Sequence, residues 1–261
     1  MKSLSIALTF ALQICISPLI ADPATTPPPL PVDKGGIVLT FDDRNFSEWI
    51  AALPLFEKYG VKATFYISGA IDQSALDTAL KLKEHGHAIG CHSIHHLSAV
   101  KYSVAHSAQD YVEKEVQPQL KAFKAAGIMP SSFAYPMSSN NKTTDEALLK
   151  IFHHIRTGAG IAAGQRISDK DAFFVATDQI AAHGCLYGKG IDYAPDRKDR
   201  TYEQIDAALA RAAKEKRIIV LYAHRIATGG KGHHISPTAL EHIFQSAKKL
   251  HLPFYTVDQL P

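Results

Sequence analysis

Two adjacent carboxylates, Asp42 and Asp43, follow directly on the apolar run Ile37-Val38-Leu39-Thr40-Phe41. Along a strand, neighbouring side chains face opposite ways. Where the strand ends the chain leaves that path, and both acids can turn to one mouth, one as a metal ligand and the other as a base. Alone, the pair reads equally as a helix cap beside a solvated acid. A second cluster, Gly90-Cys91-His92-Ser93-Ile94-His95-His96, again follows a β-rich run. His92 and His96 are four apart, so a single helical turn would set both imidazoles on one side and send His95 elsewhere. Two imidazole nitrogens and a carboxylate oxygen make a catalytic zinc site with one position left for water; a solvated histidine-rich loop is the plain alternative. In Leu221-Tyr222-Ala223-His224 a strongly apolar strand runs out into a lone histidine, which suits a general acid because imidazole exchanges its proton near neutrality. Core packing is the competing reading. The fourth segment, Phe133-Ala134-Tyr135-Pro136-Met137-Ser138, is a strand closed by a proline-stiffened turn, whose Met137 N–H could serve as an oxyanion donor.

Positioning these groups falls to alternating elements. β-rich runs are predicted at 36–41, 62–67, 87–91, 132–135, 217–222 and near Phe254. Amphipathic helices are predicted at 49–59, 74–84, 105–126, from about Thr144, at 202–216 and at 237–250. The alternation argues for βα units and a parallel sheet of seven or eight strands, best fitted by an irregular (β/α) barrel. In such barrels reactive groups gather where strands end, and the clusters described above all fall at predicted strand ends. Residues 157–200 carry the weakest pattern.

The bulk properties bound the rest. Lys2, an apolar run from Leu4 to Ile20 and the small Ala21 have the anatomy of a secretory signal peptide over residues 1–21. The mature protein is then expected outside the cytoplasm, secreted or periplasmic, without stable membrane insertion. Residues 22–35, rich in proline and then glycine, are expected to be an extended linker, leaving 36–261 as one catalytic domain. The net charge of +3 drops by one with Lys2, a balance that predicts no nucleic-acid partner. Cys91 and Cys185, the cysteines beyond residue 21, are too few for a disulfide framework.

Taken together, the segments resemble the polysaccharide deacetylase (NodB-homology) family, carbohydrate esterase family four, over most of the chain from Ile37 to Leu260. Thr40-Phe41-Asp42-Asp43 looks like the family's first motif, which implies Asp42 as base and Asp43 as metal ligand. His92-Ser93-Ile94-His95-His96 is similar to its second, implying that His92 and His96 complete the metal triad. Leu221 to His224 matches the motif bearing the general acid. The resemblance implies an irregular (β/α)7–8 barrel, a Zn2+ ion with Co2+ or Ni2+ as substitutes, and an N-acetylated glycan as substrate. The implied activity is that of a hydrolase of non-peptide carbon–nitrogen bonds. Two departures stand out. Phe133-Ala134-Tyr135-Pro136 follows a variant subgroup and lacks the third-motif arginine, which Arg156 could supply from the next strand, and no segment matches the Asp-bearing fourth motif. Trp49, Tyr135, Tyr187 and Tyr193, with Pro136, are candidates for sugar contact against the alternative of core packing, and His233 and His234 for the cleft rim. An O-deacetylase of acetylated xylan and a catalytically silent glycan-binding module are the rival functions.

Overall fold

The computed structural model describes residues 34–176 and 178–261. The expected signal peptide and all but the last two residues of the expected linker lie outside them.

The strands in chain order are β1 (Gly36–Asp43), β2 (Thr64–Ile67), β3 (Ala88–Cys91), β4 (Ser132–Ala134), β5 (His154–Gly158), β6 (Phe174–Ala176), β7 (Cys185–Gly190), β8 (Arg217–Ala223), β9 (Arg225–Ile226), β10 (His234–Ile235) and β11 (Phe254–Tyr255). The helices are α1 (Phe46–Tyr59), α2 (Gln73–Glu84), α3 (Ala99–Ala105), α4 (Ala108–Tyr111), α5 (Gln117–Ala125), α6 (Lys142–Leu148), α7 (Ile180–His183), α8 (Tyr202–Glu215) and α9 (Pro237–Lys249). Strands β1, β2, β3, β4, β5, β7 and β8 pair in parallel in that order. Six register pairs from Gly36↔Ile218 to Phe41↔Ala223 close β8 back onto β1. The result is the expected irregular barrel, with seven parallel staves. β6 adds an antiparallel strand outside the ring, against β8, and β11 joins β1 beside its start.

β1 is buried from Gly36 to Asp42, which explains its unbroken apolar sequence: a parallel strand covered on both faces has no polar side to show. The barrel's inside is filled by Val38, Tyr66, Ala134, Leu186, Ile218 and Val220. A larger cluster between strands and helices centres on Phe41, Trp49, Phe56, Phe65 and Phe244. Cys91 and Cys185 are both free thiols.

The helix expected over 105–126 is broken. Ser98 and Ser107 each accept the backbone N–H three residues on, at 3.3 Å from Lys101 and 2.9 Å from Asp110, so two helix starts replace one. A π-turn at Val112–Val116 then interrupts the path before α5. It turns the buried Glu115 toward the histidine loop, where its carboxylate accepts from the His95 backbone N–H at 2.9 Å and meets the ring Nδ1 at 2.7 Å.

Candidate active site

The four sequence clusters do converge at the carboxyl ends of the staves. Asp43, the last residue of β1, leaves the strand with φ 84°. The 92–96 loop is not the helical turn the spacing suggested: Ser93 and His96 take φ 60° and 55°, and these left-handed steps coil the loop so that both rings come back to one point. Asp43 Oδ1 lies 3.5 Å from His92 Nε2 and 3.3 Å from His96 Nε2. His92 Nδ1 is held by the carbonyl of Ala134 at 2.8 Å, which fixes the tautomer that leaves Nε2 free as a donor toward a metal. With zinc–donor bonds of about 2.0–2.1 Å, the edge of a coordination tetrahedron is roughly 3.3–3.4 Å. The observed separations match that edge, so one carboxylate and two imidazoles fit a tetrahedral ion with a fourth position open. Burial opposes ionisation of Asp43, but hydrogen bonds from His92 and His96 outweigh it and hold the carboxyl well below the usual range.

Asp42 points into the barrel, 2% exposed, and both its oxygens receive Nη2 of Arg156, itself 1% exposed. Arg156 rises from the middle of β5 beneath the cleft. Its guanidinium carbon sits 4.7 Å from the Tyr222 ring centre and 5.4 Å from that of Tyr66. Room for this stack comes from glycine: a Cβ at Gly158 would stand 2.7 Å from the Tyr222 hydroxyl, and one at Gly190 3.1 Å from the same atom. The arginine that meets Asp42 thus stands on the stave next to β4.

His224 follows β8. Its Nδ1 meets Asp192 Oδ2 at 2.8 Å, and its backbone N–H donates to Asp192 Oδ1 at 3.0 Å. Burial by itself would lower the pKa of this imidazole; the bond to Asp192 and then the charges of Asp42, Asp192 and Asp43 prevail and lift it to about 8. Asp192, 2% exposed, was missed by sequence reading. The signal that could have found it is an acid two residues beyond Gly190, at a strand end inside the segment of weakest pattern. Helix α1 also holds this corner. Trp49 Nε1 donates to the carbonyl of His224 at 2.8 Å, and Arg225 places Nε and Nη2 on Glu48, the latter at 2.6 Å from Oε1.

A cleft of about 560 Å³ joins these groups: Asp42, Asp43, His92, His96 and His224 line it with Tyr135, Met137 and His233. Met137 stands on its rim at φ 54°, a left-handed step that a β-carbon makes costly, and Ser138 repeats it at 52°. Of the aromatic candidates, Tyr135 borders the cleft but is 1% exposed, its hydroxyl tied to Asp145 at 2.8 Å. Trp49 is 0% exposed and belongs to the core, so its candidacy for sugar contact fails; its work is the bond to His224. Pro136 is buried. Tyr187 is exposed and is not among the residues that line the cleft. Tyr193 and His233 approach each other at 5.6 Å between ring centres near the acid.

Comparison with known proteins agrees with this geometry. The family model for polysaccharide deacetylases matches residues 30–152, which contain Asp42, Asp43, His92, His96 and Met137. Over that span the chain is similar to the polysaccharide deacetylase family. Among solved structures it is similar to the Xyl-CE4 domain of a multidomain xylanase from the hindgut metagenome of Trinervitermes trinervoides, with TM-score 0.56 and 19% identity over 87% of this chain and 89% of that one. It is also similar to the peptidoglycan deacetylase PdaC from Bacillus subtilis, with TM-score 0.55 and 18% identity over 88% and 92%. The catalytic domain of a peptidoglycan N-acetylglucosamine deacetylase from Eubacterium rectale gives TM-score 0.53 and 21% identity over 90% and 94%. At these identities the likeness is one of fold. In sequence, the protein YlxY of Bacillus subtilis is 30% identical over 90 residues, which span 34% of this chain and 27% of that protein. Arg156, Asp192 and His224 lie beyond the family match, and geometry alone unites them with it.

Proposed function

We propose that the protein is an exported, metal-dependent hydrolase that removes N-acetyl groups from amino-sugar units of a glycan of the chitin, poly-N-acetylglucosamine or peptidoglycan type. The observation that carries this reading is the meeting, in one cleft, of a three-donor metal cluster, a carboxylate pinned by a buried arginine and a histidine pinned by a buried acid. Asp43, His92 and His96 would hold the ion. A divalent cation there, Zn2+ with Co2+ or Ni2+ as substitutes, supplies Lewis-acid chemistry, polarising an acyl oxygen and making water more acidic. Asp42 takes the proton of the attacking water, with Arg156 fixing both its oxygens so that the base cannot rotate out of line. The N–H of Met137, held by the left-handed turn, donates to the oxygen on which negative charge develops. His224, kept protonated near neutrality by Asp192, gives its proton to the departing amine, leaving acetate and a free amino sugar.

The base, the acid and the metal donors together argue against a silent binding module, which needs none of them. No helix among the described residues is long and apolar enough to cross a membrane. The test is acetate release by purified, zinc-loaded protein from chitin oligomers, poly-N-acetylglucosamine, peptidoglycan glycan and acetylated xylan. Release from one of the first three, abolished by chelation and reduced at least ~100-fold in Asp42→Asn, is expected. Release from acetylated xylan alone would transfer the reading to ester hydrolysis. Glycan binding without acetate at any metal loading would end it.

A further inference from the structure

One lip of the cleft is built from charge that the proposed deacetylation does not use. Lys189, Arg197, Asp199 and Arg200 all border the cavity. Asp199 is shared by all three cations: Oδ2 lies 2.7 Å from Lys189 Nζ and 2.8 Å from Arg200 Nη2, and Oδ1 lies 3.1 Å from Arg200 Nε and 3.5 Å from Arg197 Nε. Three positive charges therefore face one negative one. Lys189 is the costly member, with a side chain only 3% exposed. Burial, joined by repulsion from Arg200 and Arg197, lowers its pKa in spite of Asp199. Pinning the 191–200 loop would need one cation, and Arg200 already does this, donating Nη1 to the carbonyl of Asp192 at 3.0 Å. The same bond places the surplus beside the residue that holds His224. Arg197 lines the cleft with its side chain 57% exposed.

We propose that Lys189, Arg197 and Arg200 form an anion-holding subsite that takes a carboxylate carried by the sugar next to the acetylated one, so that the favoured glycan is acidic. A guanidinium edge matches a carboxylate in shape and charge, and a half-buried cluster strengthens the pairing by excluding water. The identity of the acetylated neighbour rests on the deacetylase reading; the subsite is a claim about binding and can be tested without turnover.

The experiment measures both binding, by calorimetry, and acetate release on the full, zinc-loaded protein with four tetrasaccharides. These are neutral N-acetylglucosamine, alternating glucuronate and N-acetylglucosamine, a muramic-acid oligomer bearing the lactyl carboxylate, and a phosphorylated N-acetylglucosamine oligomer. Expected is at least roughly tenfold tighter binding of one carboxylated oligomer than of the neutral one. The preference should shrink between about 50 and 500 mM salt and collapse toward parity in Arg197→Gln, with metal content and melting temperature held. Arg197 is chosen because it is exposed, whereas a Lys189 variant risks the fold. Equal or tighter binding of the neutral oligomer, or a preference untouched by Arg197→Gln, overturns the subsite; a phosphorylated oligomer bound best overturns the carboxylate. Carboxylate preference with no acetate from any oligomer leaves the subsite standing and removes the deacetylase reading, while acetate without preference does the reverse.

Discussion

At the level of single residues, the site is a set of paired charges in which each chemical group has a dedicated holder. Asp42 depends on Arg156 more than on solvent, since neither side chain is appreciably exposed. Replacing Arg156 with Met would leave a buried carboxylate without its cation, at a cost of about 3–5 kcal/mol. Urea unfolding should show that loss, and acetate release should fall with it. Arg156→Lys should restore more of the stability than of the turnover, because an ammonium keeps the charge but loses the stacking on Tyr222 and Tyr66 that positions it against Asp42. His224 makes a prediction in pH. A general acid must carry its proton, so turnover should hold below a pKa near 8 and decline above it, with an occupied cation site offsetting the share due to Asp43. Asp192→Asn removes both the hydrogen bond to a charged acceptor and its field, so the alkaline limb should move to lower pH in a kcat/KM profile. A limb that stays in place would take His224 out of the acid's role.

At the level of elements, the alternation of short apolar runs and amphipathic stretches was enough to read the barrel, because a parallel strand covered on both faces has no choice but to be apolar. The strands at 36–43 and 217–223 and the helices at 202–215 and 237–249 were found within two residues. What hid was local. Ser98 and Ser107 compete with helix continuation through their own side chains, and the left-handed residues Ser93 and His96 bring two imidazoles together by a path no periodicity announces. The Asp42 partner could be guessed only because Arg156 lies on a predicted strand; Asp192 could not, since a short strand and a loop give an isolated acid no pattern. One element carries a further pH consequence. His87 opens the turn into β3 and accepts the backbone N–H of Ala63 through Nδ1 at 3.1 Å, which requires the neutral ring. Burial pulls its pKa down to about 4. The unfolded chain takes up that proton near pH 6.5 and the folded one does not, so stability should fall as pH drops from about 6.5 toward 4, by on the order of 3 kcal/mol for this group. Urea midpoints across that window test it, as does His87→Gln, which should flatten the slope.

At the level of the whole molecule, the barrel brings residues from six staves to one end and leaves its inside packed, so the cleft sits on a rigid floor. A cation bound only by the folded arrangement of Asp43, His92 and His96 stabilises that arrangement by mass action, about 2.7 kcal/mol at a hundred times its dissociation constant. For a domain of this size the melting temperature should rise by roughly 5–10 °C, and His96→Ala should abolish the rise without unfolding the protein. No rise on adding Zn2+, Co2+ or Ni2+ would remove the metal centre from the account.

The bonds from the first turn of α1 to the end of β8 have a wider meaning. Asp42 and Asp43 leave their strand a few residues before Glu48 and Trp49, and these two grip Arg225 and the His224 carbonyl. The proposed proton acceptor and proton donor, 182 positions apart in the chain, therefore hang from the same short yoke. Any motion that widens the gap between them must first pull a tryptophan out of the core, so substrates must fit the spacing they find, and selectivity is decided at the rim.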